Sequence, residues 1–362
     1  MQTINVTAPD LPKLDKYIKL LETIWETKQL TNNGHFVRAL EIELAEYLKV
    51  PEAVLVNNGT NALTVAMLAL GLEGEVITTP FSFVATASTI VAAGLEPVFC
   101  DICPKSLNID YRKIEQLITP KTSAILATHC YGHPCALDEI EKIAESNGIK
   151  VIYDAAHAFG VEVGGKSLLS YGDISTVSTH ATKVFTTIEG GIVFSDTHLN
   201  KIKSIRNFGI KDEHTIEYVG INAKMNELSA AFGMLQLERV DEHILRRQEV
   251  SSLYTEILSN CEKITCHHPK GVSKYNYSYF PIIFGNSDER ERAVLKLHSH
   301  GIFPRKYFAP CILGQKPYEN FRSDGCPVAF DICDKILCLP MYSDLNLSNA
   351  EKIAQLIIES CE

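Results

Sequence analysis

The chain has 362 residues, 46% of them hydrophobic, which is long enough for two packed units, one large and one smaller. A formal net charge of −10 with no offsetting basic stripe argues against nucleic acid or an anionic membrane as partner and favours a small-molecule ligand. The opening MQTINVTAPDLPKL has no basic stretch followed by an apolar one and no apolar run spans a bilayer, so a cytoplasmic protein is expected, its eleven cysteines reduced.

From residue 53 to 154, short β-rich runs alternate with helical ones. AVLVN precedes TNALTVAMLALG, EVITT precedes VATASTIVAAG, EPVFCD precedes DYRKIEQLI, TSAILATH precedes ALDEIEKIAESNG, and KVIYD closes the series. This alternation predicts parallel strands joined by right-handed crossovers, an open α/β sheet covered on both faces, with ligands at the carboxyl ends of its strands. DISTVS and GGIVFS predict two more strands. Residues 222 to about 260 read as one long helical element that carries the chain out of the large unit. Then come a strand over YNYSYFPIIF, a helix over SDERERAVLKLHSHG, an irregular stretch rich in Pro and Cys, and a final helix from Asn346. The expected division is a large, mostly parallel sheet domain over 1–240 and a smaller α+β domain over 241–362. Cys100 and Cys103 cluster locally, as do His129, Cys130, His133 and Cys135. A zinc site needs a second ligand pair at defined spacing, so packed thiols are the better account and no metal is expected.

Three features along this chain carry chemistry. Asn58, Gly59, Thr60 and Asn61 open a helix directly after a strand, where free backbone N–H groups suit a phosphate; a plain N-cap by Thr60 or Asn61 is the ordinary alternative. Asp154 stands at the end of the strand KVIYD. Lys183, in STHATKVFTTIEGG, lies on a short connection between two apolar strands. A surface turn is the commoner setting for a lysine, but a desolvated one has a lowered pKa and becomes a nucleophile towards aldehydes. Pyridoxal 5'-phosphate needs all three: an anion hole for its phosphate, a carboxylate for its pyridine nitrogen and a lysine for its aldehyde. No GxGxxG follows a strand, so a nicotinamide-binding fold has little support.

NNGTNAL, PFSFVATA, DAAHAFG, HATKVFTTIEGG, NAKMNELSAA and GIFPRKYFAP resemble, in order and across nearly the whole chain, the DegT/DnrJ/StrS family of nucleotide-sugar aminotransferases. The resemblance implies the aspartate aminotransferase-like fold type I of PLP-dependent transferases. It makes Lys183 the lysine that holds the cofactor and Asp154 the partner of the pyridinium nitrogen. His157 falls beside the 3-hydroxyl, and Phe83 matches an aromatic that stacks on the ring. Gly59, Thr60 and Asn61 match the phosphate loop, Ser178 adds a hydroxyl, and Asn222 matches an asparagine that reaches the phosphate of the neighbouring subunit. Taken singly, Phe83 reads by default as a core aromatic and His157 as a satisfied core histidine, and Ser178 fits an ordinary strand.

The implied reaction moves an amino group from L-glutamate to a nucleotide-linked keto sugar in a homodimer with shared sites. The wording is most similar to members that aminate C4 of dTDP-4-keto-6-deoxyglucose for surface polysaccharides. C3-specific members carry the same catalytic residues, and a non-catalytic sugar-responsive regulator is a further alternative. Asn33 in LTNNGHF and Arg305, Lys306 and Tyr307 are expected contacts to the anionic nucleotide. One departure stands out: the family often reads GEGG where this chain has Ile188-Glu189-Gly190-Gly191, so the turn after the lysine is expected to differ slightly.

Overall fold

Each of the seven β-rich runs between residues 53 and 195 contributes a strand to one seven-stranded sheet in the computed structural model, which describes residues 3–362. Across the sheet the order is Glu96–Phe99, Glu75–Thr78, Thr122–Thr128, Lys150–Asp154, Ile174–Ser178, Gly191–Phe194 and Val54–Val56. Neighbours pair in parallel as far as Ile174–Ser178, while Gly191–Phe194 runs antiparallel to the strands on both sides. Alternation decides which layer each residue joins. Ile125, Ala127, Val151 and Tyr153 face the helices His35–Leu48 and Leu137–Asn147, whereas Ala124, Leu126, Ile152 and Val193 face Gly59–Leu70. With both faces covered, the strands read as continuous apolar runs.

A second, three-stranded antiparallel sheet of Ile264–Cys266, Phe280–Phe284 and Ile336–Leu339 packs with the helices Val240–Leu258, Ser287–Ser299 and Leu347–Cys361. Ile4–Asn5 pairs in parallel with Ile302–Phe303, and Ile4 is buried in this second core, so the start of the chain crosses the boundary expected at 240/241.

Two elements differ from the sequence pattern. The helix expected over 222–260 is two helices, Glu227–Leu237 and Val240–Leu258, with Asn222–Met225 outside both. Asn226 caps the first of them, and the buried Glu227 carboxylate accepts from the N–H groups of Phe36 and Val37 at 2.7 and 3.1 Å, capping the helix His35–Leu48. Of YNYSYFPIIF, only Phe280–Phe284 is a strand. The preceding residues are held by the Asn276 side chain, whose Nδ2 donates to the carbonyls of His157 and Phe159, and Tyr277 takes a φ of 51°.

Candidate active site

A cavity of about 1180 Å³ opens at the carboxyl ends of the parallel strands. Parallel pairing sets Thr128 beside Asp154 and Asp154 beside Thr176, which places the Asp154 carboxylate on the cavity floor. Its Oδ2 accepts from the Thr86 hydroxyl at 2.8 Å and its Oδ1 from the Ala156 N–H at 3.1 Å. Burial pushes its pKa above the ordinary carboxylate value, opposed by those two hydrogen bonds and by Lys183. Thr86 belongs to a buried hydroxyl chain, 2.7 Å from Ser82 Oγ, which is in turn 3.1 Å from Thr128 Oγ1.

The helix Gly59–Leu70 begins on the cavity wall, and close backbone approach requires glycine there. A Cβ on Gly59 would lie 2.8 Å from Ser178 Cβ, and one on Gly191 would lie 2.7 Å from the Asn58 carbonyl oxygen. Gly59, Thr60 and Ser178 line the cavity together. Asn61 does not: its N–H donates to the capping Asn58 Oδ1 at 2.7 Å and its side-chain amide to Asn57 Oδ1 at 2.8 Å. The ordinary capping alternative thus describes the Asn61 N–H, with Asn58 as the cap, while the first turn stays open towards the cavity.

Lys183 is half-buried and is reached through the cavity. Burial brings its amine down from 10.5 to about 8, with Asp154 opposing the shift. The neutral, nucleophilic fraction therefore grows as pH rises through about 8. Covalent capture of pyridoxal 5'-phosphate by cofactor-free protein is expected to follow that midpoint; one near the ordinary 10.5 would show a solvated ammonium. Past the lysine, Ile188 has a φ of 72°, the left-handed region that favours glycine, and its side chain is 44% exposed. Ile188→Gly should relieve that strain and stabilise the protein by about 1 kcal/mol, read as a raised Tm; a lowered Tm would contradict it.

Aromatic rings wall the rest. Phe83, 57% exposed, faces the open cavity and not a core. His157 is buried, with its Nδ1 accepting from the Tyr131 N–H at 3.1 Å, which leaves the ring proton on Nε2; burial holds its pKa well below the usual value, so the ring is neutral. Phe308 lies parallel to His157, centroids 5.7 Å apart, and the Tyr279 ring centroid is 6.0 Å from Lys183 Nζ. Of the expected nucleotide contacts, Arg305 and Tyr307 line the cavity. Lys306 does not, because its ammonium is bound to the Glu291 carboxylate. Asn33 lines a separate cleft of about 280 Å³ with Arg206, Asn207 and Lys224, and Asn222 bridges to Asn207 on that same side. Within one chain, neither asparagine lines the large cavity.

The arrangement fits pyridoxal 5'-phosphate: a desolvated amine, a buried carboxylate, and a glycine-opened helix start beside Ser178 share one cavity. Sequence reasoning named neither Thr86 nor Tyr279, nor the pair at the cavity wall in which His180 Nε2 lies 3.6 Å from Glu189 Oε1. Thr86 sits in the same PFSFVATA segment as Phe83, so a hydroxyl at that spacing was the available signal.

The profile of the DegT/DnrJ/EryC1/StrS aminotransferase family matches residues 14–358. The chain is 46% identical over 365 residues to dTDP-4-amino-4,6-dideoxy-D-glucose transaminase of Escherichia coli, covering 99% of this chain and 98% of that one. It is 32% identical over 361 residues to GDP-perosamine synthase of Caulobacter vibrioides, covering 97% and 96%. Among solved structures, DesI in the presence of its TDP-sugar product matches with a TM-score of 0.95 at 30% identity, covering 100% of this chain and 93% of that one. Helicobacter pylori PseC, an aminotransferase involved in the biosynthesis of pseudoaminic acid, matches with a TM-score of 0.91 at 28% identity, covering 99% of each chain. The fold is therefore the expected one of the PLP-dependent transferases, and the chain belongs to the DegT/DnrJ/EryC1/StrS aminotransferase family, whose members are pyridoxal 5'-phosphate-dependent enzymes.

Proposed function

We propose that this enzyme transfers the amino group of L-glutamate to C4 of dTDP-4-keto-6-deoxyglucose, giving an amino sugar for surface glycans. The observation that carries the chemistry is the Lys183–Asp154 pair on the floor of one cavity, each with its pKa displaced by burial. The sugar rests on the 46% identity to a transaminase named for the C4 product. Nothing comparable favours a C3-specific enzyme, and a regulator with a vestigial site has no use for an intact lysine and carboxylate.

In this reading Gly59, Thr60 and Ser178 hold the cofactor phosphate, Phe83 covers the ring, and His157 donates its Nε2 proton towards the 3-oxygen. Once bound, the cofactor supplies an aldehyde for amine capture and a ring that accepts electron density. Lys183 would act as general base and acid, taking the proton from the donor Cα and giving it back later in the transfer. Asp154 keeps the ring nitrogen protonated.

The keto sugar follows by the reverse path, giving ping-pong kinetics. Incubation with glutamate and dTDP-4-keto-6-deoxyglucose should give an NMR spectrum with nitrogen on C4. Amination at C3, or turnover only of another keto sugar, would overturn the assignment.

The same reading makes the active unit a cytoplasmic homodimer in which Asn222 serves the partner's cofactor phosphate. Exposed apolar side chains near it support this: Phe208 at 48%, Ile216 at 73% and Val219 at 84%. Among the described residues no helix is long and apolar enough to cross a membrane. A fully active species sedimenting as a monomer would overturn the shared site.

A further inference from the structure

Tyr279 also lines another cavity, of about 220 Å³, set between the helix Val240–Leu258 and the segment 267–280, with Ser251, His267, His268 and Tyr277 in its wall. Among the described residues no carboxylate lines it, in a chain whose net charge is −10. Arg247 lies one helical turn before Ser251 on the same face, is buried, and leaves its Nε without a hydrogen-bond partner among those residues. His267 stacks on the buried His133 of the THCYGHPC segment, centroids 4.8 Å apart and planes 18° from parallel. The His267 Nε2 is 3.1 Å from the Lys105 carbonyl oxygen, which can only accept, so the proton sits on Nε2 and Nδ1 is a bare acceptor. That Nδ1 and both ring nitrogens of His133 are buried with no partner among the described residues.

Three orphaned nitrogens in one stack require a partner that the surrounding chain does not supply. A metal ion does not suit them: parallel rings direct their lone pairs side by side, and among the described residues no group of three His, Cys, Asp or Glu side chains could hold one. A cationic ligand would be repelled, because Lys270 acts on His267 and Arg247 on Tyr279. Burial keeps the stack neutral, bringing His267 down to about 4 and holding His133 well below the usual value, with His268 adding to both effects. A nearby anion reverses that balance and lets the imidazoles take up a proton. The other titratable groups facing the rings are Tyr131, Tyr275 and Tyr277, whose hydroxyls burial keeps protonated. We propose that this cavity is an effector site for a small oxyanion, a carboxylate or a phosphate group, which binds together with a proton on the His133, His267 and His268 cluster. The Tyr279 ring, 6.0 Å from Lys183 Nζ, belongs to both cavity walls and couples the two sites.

Acetate and sulfate are the probes for the cofactor-loaded enzyme, because neither changes its own charge between about pH 6 and pH 8. Calorimetry in two buffers of different ionisation enthalpy should show proton uptake on binding, and affinity should fall by up to about tenfold per pH unit as pH rises. The histidine ring NMR signals that move should be those lost in His267→Phe and His268→Phe. His267→Phe keeps a stacked ring without its nitrogens and should abolish both the proton uptake and the anion-induced shift of the cofactor's visible band. Ser251→Ala leaves the stack untouched and should weaken binding only in part. Binding of acetate alone makes the effector a carboxylate, and of sulfate alone a phosphate group; both fit the site. No binding of either probe, binding independent of pH, or binding undiminished in His267→Phe overturns it, and binding that leaves the visible band unmoved overturns the coupling through Tyr279.

Discussion

Lys183→Ala is expected to abolish transamination while leaving the fold intact. On the proposed assignment the substitution removes both the covalent anchor and the proton carrier, and a proton-transfer role alone is worth about 10² to 10⁴ in rate. Stability should change by no more than about 1 kcal/mol, because a desolvated amine is removed and the carboxylate it faces keeps its own partners, Thr86 and Ala156. Lys183→Arg is the sharper control. A guanidinium keeps the charge and most of the length but does not deprotonate near neutral pH, so this variant should be as inactive as the alanine variant. Absorbance after cofactor addition and glutamate-dependent bleaching of the visible band measure both. Near-wild-type turnover in either variant would show that another group carries the amine chemistry.

The sheet was legible because its strands are buried on both faces and separated by helices, so the apolar runs from AVLVN to GGIVFS needed no long-range information. Lys183 and Asp154 stood out for a related reason: Asp154 ends an apolar strand and Lys183 lies on the connection between two, and both line the one large cavity. What failed depended on contacts between distant segments. The helical periodicity from residue 222 onward does not show that Glu227 turns its carboxylate back to the N–H groups of Phe36 and Val37, so the break before it was invisible. YNYSYF has the alternation of a strand, yet Asn276 is committed to the carbonyls of His157 and Phe159 and draws its segment against the site. Asn61 shows the opposite error: a polar residue at a helix start reads as a phosphate ligand until the cap at Asn58 takes its N–H. Thr86 became visible only when the fold set its hydroxyl against Asp154.

That Thr86 contact decides how Asp154→Asn should behave. Both carboxylate oxygens accept hydrogen bonds, one from a hydroxyl and one from a backbone N–H. An asparagine keeps its carbonyl oxygen towards Ala156 and turns its amide towards Thr86, whose hydroxyl can accept instead and donate onward to Ser82, 2.7 Å away. The variant should therefore fold and bind cofactor, but without a negative charge it no longer holds the ring nitrogen protonated. Loss of that charge from a water-excluded site is expected to slow proton removal from the donor Cα by about 10³-fold, measured as deuterium exchange into glutamate. A second readout separates this role from mere packing. The carboxylate opposes the downward shift of the Lys183 amine, so its removal should move the pH midpoint of cofactor capture below about 8. Wild-type exchange rates together with an unmoved midpoint would mean that Asp154 neither faces the ring nitrogen nor tunes the lysine.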